Sequence, residues 1–102
     1  MTLATLSAVA RLLGLRSIEV IEGGYISKGS CVQYWHPWDL AGAVLEKLDE
    51  LECYPELRAL QHETGPLWIC ELNDYETAGE APDAPTAILE AAAAYQVSKE
   101  AK

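Results

Sequence analysis

The residues most able to do chemistry sit in "YWHPWDLAG", Tyr34 to Gly42, where three aromatics, a histidine, a proline and an aspartate share nine positions. His36 beside Asp39 could form an acid–base pair, but no serine or cysteine stands in a motif that would complete it as a nucleophile. A zinc site needs clustered ligands. His36 and His62 lie 26 residues apart, and neither has a second His, Cys or Asp at a ligand spacing. Gly23-Gly24 and Gly29 make neither a dinucleotide fingerprint nor a phosphate loop, since Lys28 precedes the glycine instead of following it. Carboxylates are so abundant that no single pair is singled out as general acid and base. The expectation is a protein that is not an enzyme and holds no metal or other cofactor.

The elements around the cluster give it a different meaning. Pro37 suits the first turn of a helix, where its missing N–H would have had no partner, and Asp39 favours the positive end of the helix dipole. Leu40, Val44, Leu48 and Leu51 then form one apolar stripe, so the segment reads as the start of an amphipathic helix. Trp35 and Trp38 are expected to cover the edge of the core, rings buried and N–H groups near a partner. Thr2 can cap an earlier helix with Leu3, Leu6, Ala10 and Leu13 in phase and Gly14 as its stop. "SIEVIEGGYIS", Ser17 to Ser27, predicts a hairpin turning at Gly23-Gly24. Glu56 to Thr64 and Leu67 to Leu72 predict two antiparallel strands joined at Gly65-Pro66. Asn73 to Pro85 reads as a polar loop, and Asp83 and Pro85 start a last helix that packs through Ile88, Leu89, Ala92, Tyr95 and Gln96. The fold class predicted is α+β, a small antiparallel sheet with about three helices packed on it. At 102 residues, half of them hydrophobic, residues 1–102 are expected to form a single domain without an internal repeat.

Leu3 to Leu15 is apolar but interrupted by Arg11 and too short to cross a bilayer, so neither a signal peptide nor a membrane helix is expected. Cys31, Cys53 and Cys70 are odd in number and lack CxxC spacing. That argues against a disulfide framework and for a reducing cytoplasm, with each thiol a small buried hydrophobe.

Charge is the strongest signal. The chain carries a formal −9, and its distribution is more lopsided than the total: thirteen acids between residues 39 and 90 face only Lys47 and Arg58. Such a surface repels nucleic acid and anionic membrane and attracts a basic partner at rates that fall with salt. Glu46, Asp49 and Glu50 stand at i, i+3 and i+4 on the second helix, about 5–6 Å apart at Cβ. Glu52 and Glu56 prolong this run, and Glu71, Asp74, Glu76, Glu80 and Asp83 form a second one with no basic residue among them. Apart from Glu71, these nine carboxylates are the candidate binding surface. They either solubilise an apolar-rich chain or imitate nucleic-acid phosphates, spaced at about one charge per 1.7 Å of duplex axis, in a partner's Lys/Arg groove.

"YWHPWDLAGAVLEKL" (34–48), "PLWICEL" (66–72) and "GEAPDAPTAILEAAAAY" (79–95) together resemble the aromatic helix start, tryptophan-bearing strand and closing alanine-rich helix of small phage and prophage proteins with an α/β/α (ABA) sandwich. Leu3 to Leu13 is similar to their first helix. In size and acidity, through no shared motif, the chain also resembles anti-CRISPR inhibitors. The resemblance implies a phage or mobile-element inhibitor of a host defence complex, type I CRISPR foremost, acting in the bacterial cytoplasm by blocking target DNA binding. The alternative it leaves open is a phage accessory or structural protein with a non-catalytic interaction role.

Overall fold

A computed structural model describes residues 1–72 and 78–101. Its elements run α1 (Leu3–Leu13), β1 (Ser17–Ile21), β2 (Gly24–Lys28), β3 (Val32–Trp35), α2 (Pro37–Glu50), β4 (Glu56–His62), β5 (Gly65–Glu71), β6 (Ala78–Ala81) and α3 (Ala84–Glu100). The α+β class and its three helices are as the sequence predicts, while the strands divide into two antiparallel three-stranded sheets, β1-β2-β3 and β4-β5-β6. A three-stranded meander followed by a helix therefore occurs twice, a repeat of element order that the sequence does not display.

Local chemistry explains the helix ends. The Thr2 side chain accepts the Thr5 N–H, and Gly14 closes α1 with φ of 73°. The buried side of α1 is Leu6, Ala8, Val9, Ala10 and Leu12, with Leu13 partly covered and Leu3 exposed, so the predicted stripe is rotated. His36 is the N-cap of α2, its Nδ1 accepting the Trp38 N–H, and Pro37 takes the first position. Asp83 caps α3 by accepting the Thr86 N–H at 2.9 Å.

The hairpin turns sit earlier than predicted, the first by one residue and the second by two. Ile21 pairs with Gly24 and His62 with Gly65, so the turns are Glu22-Gly23 and Glu63-Thr64. Gly23 alone of its pair takes positive φ, and Gly24 joins the strand, where an added Cβ would lie 2.2 Å from the Trp35 carbonyl oxygen. Two strands were not expected: β3, formed from residues that read as helix punctuation, and β6, which falls within the predicted loop.

The helices form the packing centre. α3 contacts α1, α2, β5 and β6, while α2 reaches β2 and β3. Leu40, Val44 and Leu48 of α2 and Ile88, Leu89, Ala91 and Ala92 of α3 are fully or almost fully buried. Alanine lets α3 approach β6 so closely that a Cβ on Gly79 would fall 2.2 Å from the Ala91 nitrogen. Tyr95 and Gln96, placed on the packing side by the sequence, are only half-buried. Ser27 is buried and receives the Trp35 Nε1–H at 2.8 Å, which satisfies both groups. Trp35 thus covers the core edge as expected. Trp38 does not, standing 54% exposed two positions beyond the cap.

Candidate interaction surface

Each predicted carboxylate can be placed by the element that carries it. Glu46, Asp49 and Glu50 lie on the solvent side of α2, opposite Leu40, Val44 and Leu48. Lys47 offsets part of this charge through a 3.6 Å contact with Glu50. The helix then ends in a left-handed turn: the Cys53 N–H donates to the Leu48 carbonyl at 2.8 Å and the Glu52 N–H to the Asp49 carbonyl at 3.0 Å. This closing motif puts Glu52 at φ of 59°, the position glycine usually fills, and Glu52 is the one non-glycine with positive φ among the described residues. Cys53 follows it into the core.

Acid also gathers on the second sheet. Opposed residues of antiparallel strands share a face, and Glu56 opposes Glu71 while Ile69 opposes both Arg58 and Glu80. Glu56, Glu71 and Glu80 therefore lie on the outer face, where Arg58 forms an ion pair with Glu71. The register brings Glu56 and Glu80, from the two predicted runs, onto one surface, with Glu71 between them. Asp83 is committed to its cap. Asp74 and Glu76 lie outside the described residues.

The expected chemistry of the opening cluster resolves into structure: His36 caps, Asp39 sits in the first helical turn and Trp35 seals a sheet. Among the described residues no group of three or more His, Cys, Asp or Glu is placed to hold a metal ion, and no helix is long and apolar enough to cross a membrane. The three thiols are free. Cys53 and Cys70 are buried as predicted, but Cys31 is exposed because it lies in the turn before β3. Burial, helped by Glu71, pushes the Cys70 thiol up to about 11. Burial also raises Tyr25, against a hydrogen bond with Thr86 that lowers it. Tyr95 is raised chiefly by its hydrogen bond with Cys53. At the other end of α3, Arg11 and then Gln96 bind the Glu100 carboxylate and hold it down at about 2.

Sequence reasoning missed three further features. An open, mainly apolar groove of about 520 Å³ runs between α1, α3 and β6, with Gly79, Ala93 and Val97 in its lining and Glu90 accepting from Thr5 at its edge. The outer face of the first sheet carries Val32 and Tyr34, 61% and 74% exposed, beside half-buried Ile21 and Ile26. All seven residues of β4 are exposed. Alternation of apolar residues could have marked the first sheet's outer face only once β3 was recognised as a strand. The chain matches no family model, no curated protein and no solved structure.

Proposed function

We propose that the protein is a non-catalytic inhibitor that presents its acidic face to the basic, nucleic-acid-binding surface of a partner complex. Glu52 carries the proposal. A carboxylate occupies a left-handed position that costs an ordinary L-residue roughly 1–2 kcal/mol, where glycine would sit without strain. The same turn is the negative end of the α2 dipole, where nearby acids lose about 0.3–1 kcal/mol of stability each. Strain retained against folding stability is a mark of surfaces kept for function. Asp49, Glu50 and Glu52 would then form the leading edge, with Glu46 behind them and Glu56, Glu71 and Glu80 as a second patch.

The likeness to anti-CRISPR inhibitors in size and acidity makes a type I CRISPR complex the first partner to test. Phage plaquing is measured on bacteria with and without an active type I system, each expressing the wild-type chain or a variant with Glu46, Asp49 and Glu50 changed to Lys. Plaquing restored only where CRISPR is active, and lost with the variant, is the expected result. No restoration across several subtypes would remove the CRISPR partner, and restoration by the charge-reversed variant would remove the acidic face.

A second reading is favoured by one observation, the exposed apolar face of Val32, Tyr34 and Ile26. A phage accessory or structural protein would act through that face and be nearly indifferent to salt and to the acidic substitutions.

A further inference from the structure

Sheet edges are ordinarily protected by short length, by lysine or proline, by bulges or by a covering element. Three of the four edges here fit that rule. β1 has five residues and packs on α1, β3 has four, and β6 has four under α3. β4 breaks it, with seven residues, a one-to-one register to β5 from Glu56–Glu71 to His62–Gly65, no proline or lysine, and every residue exposed. Leu57 and Leu60, 38% and 42% exposed, stand on its two faces.

We infer that β4 pairs with β4 of a second copy in an antiparallel, twofold-symmetric register centred on Ala59, joining two three-stranded sheets into one of six strands. The backbone phase selects this arrangement. In a hairpin closed by a two-residue turn, His62 and Gly65 form a hydrogen-bonded pair, and the pairs then alternate along the ladder. The N–H and C=O groups of Leu57, Ala59 and Gln61 are thereby directed to the open side. Centring on Ala59 sets these three residues against the partner's Gln61, Ala59 and Leu57, so the outward groups of both strands meet in hydrogen-bonded pairs.

Side chains select the same register. Glu56 comes opposite the partner's His62, twice by symmetry, an acid against the one titratable base at the far end of the strand. Leu60 lies opposite the stem of the partner's Arg58 and diagonal to the partner's Leu60, while Leu67, already paired with Leu60, extends an apolar band through both copies. Each Arg58 keeps its own Glu71. Sliding the strands by two residues in one direction opposes Arg58 to the partner's Arg58 and brings in Pro55, which has no N–H to donate. Sliding in the other direction opposes Arg58 to the partner's His62 and runs past the strand into the turn. Only the Ala59 register uses all seven residues.

The test is sedimentation of the full chain over a concentration series, with Ala59→Pro and Leu60→Lys as separate variants whose fold is checked by circular dichroism. Expected is a species of twice the 11.1 kDa chain mass for the wild type and a monomer for both variants. Register is read by oxidation in a Cys31→Ser background. Ala59→Cys places two sulfurs on residues with Cα atoms about 5.5 Å apart, within disulfide reach, and cross-links. Gln61→Cys does not, because it faces Leu57 of the other copy. A wild type that stays monomeric, a dimer untouched by both variants, or cross-linking by Gln61→Cys as readily as by Ala59→Cys would overturn the inference.

Discussion

Replacing Gly79 by alanine tests how tightly α3 is seated on β6. The added Cβ would stand 2.2 Å from the Ala91 nitrogen, 2.6 Å from the Ala87 carbonyl oxygen and 2.7 Å from the Glu90 carbonyl carbon. All three atoms are helix backbone, so no rotamer change relieves the clash and the helix itself must retreat by roughly 1 Å to restore ordinary contacts of about 3.5–4 Å. Overpacking of this kind costs about 1–3 kcal/mol, and the retreat also loosens the Ile88 and Ala92 contacts on which the core depends. At about 4–8 °C per kcal/mol for a chain of this size, the melting temperature should fall by at least several degrees. Gly42→Ala is the matched control. It adds the same methyl group inside α2 with nothing within 4 Å, so higher helix propensity should raise stability by about 0.5–1 kcal/mol. Urea unfolding followed by circular dichroism measures both. A Gly79→Ala protein within about 0.5 kcal/mol of wild type would refute the close seating, as would a Gly42→Ala protein destabilised to the same degree.

Glu52→Gly should stabilise the fold by up to about 1 kcal/mol, left-handed strain being removed and only partly offset by the freer unfolded chain and by loss of the interaction the Glu52 side chain makes; loss of stability in the same urea assay would show that the Glu52 side chain holds the turn. Partner binding should weaken in that variant, separating stability from function. A thiol reagent at pH 8 should modify one cysteine rapidly, with the fast phase abolished by Cys31→Ser, and should reach Cys53 and Cys70 only after unfolding; rapid reaction of all three would contradict the burial of the latter pair. The Arg11–Glu100 pair should tie the last turn of α3 to α1 at every pH above the ordinary carboxylate range and release it as pH falls towards about 2, because the folded-state value is the depressed one. Amide exchange in that turn should rise over the interval, and Glu100→Gln should remove the dependence.

The helix starts were legible because each is written in local chemistry: Thr2 and Asp83 as caps, Pro37 at a first turn, Gly14 at a stop. What escaped was decided by tertiary contact. Val32 to Trp35 form a strand because Trp35 closes over Ser27, a partnership eight residues away that no periodicity announces. Ala78 to Ala81 lack the branched side chains of a typical strand, and their small residues suit the close approach of α3 instead. The first turn moved by one residue for a related reason, since Gly24 is required under the Trp35 carbonyl and leaves Gly23 alone to supply positive φ. The end of α2 was unreadable because glutamate stands where glycine would have signalled it. As for the candidate surface, which acids are exposed was legible from amphipathicity, while the meeting of Glu56 with Glu80 depends on strand register.

The two proposed surfaces respond to salt with opposite sign, and this separates them in one titration. A chain at −9 approaching a second copy is repelled, so the β4 pairing has to form against a like-charge field. That field also discourages less specific stacking of an otherwise bare edge. Raising ionic strength shortens the screening length from about 10 Å at 0.1 M to about 3 Å at 1 M, which removes the repulsion while leaving backbone hydrogen bonds and the Leu60 contacts in place. Self-association should therefore strengthen with salt. Attraction between the acidic face and a basic partner is screened by the same ions and should weaken. A dimer that dissociates on adding salt would mean that charge, through Glu56 and His62, dominates the strand pairing. A partner complex that survives 1 M salt would mean that the acids are bystanders and that binding runs through the apolar face of Val32 and Tyr34.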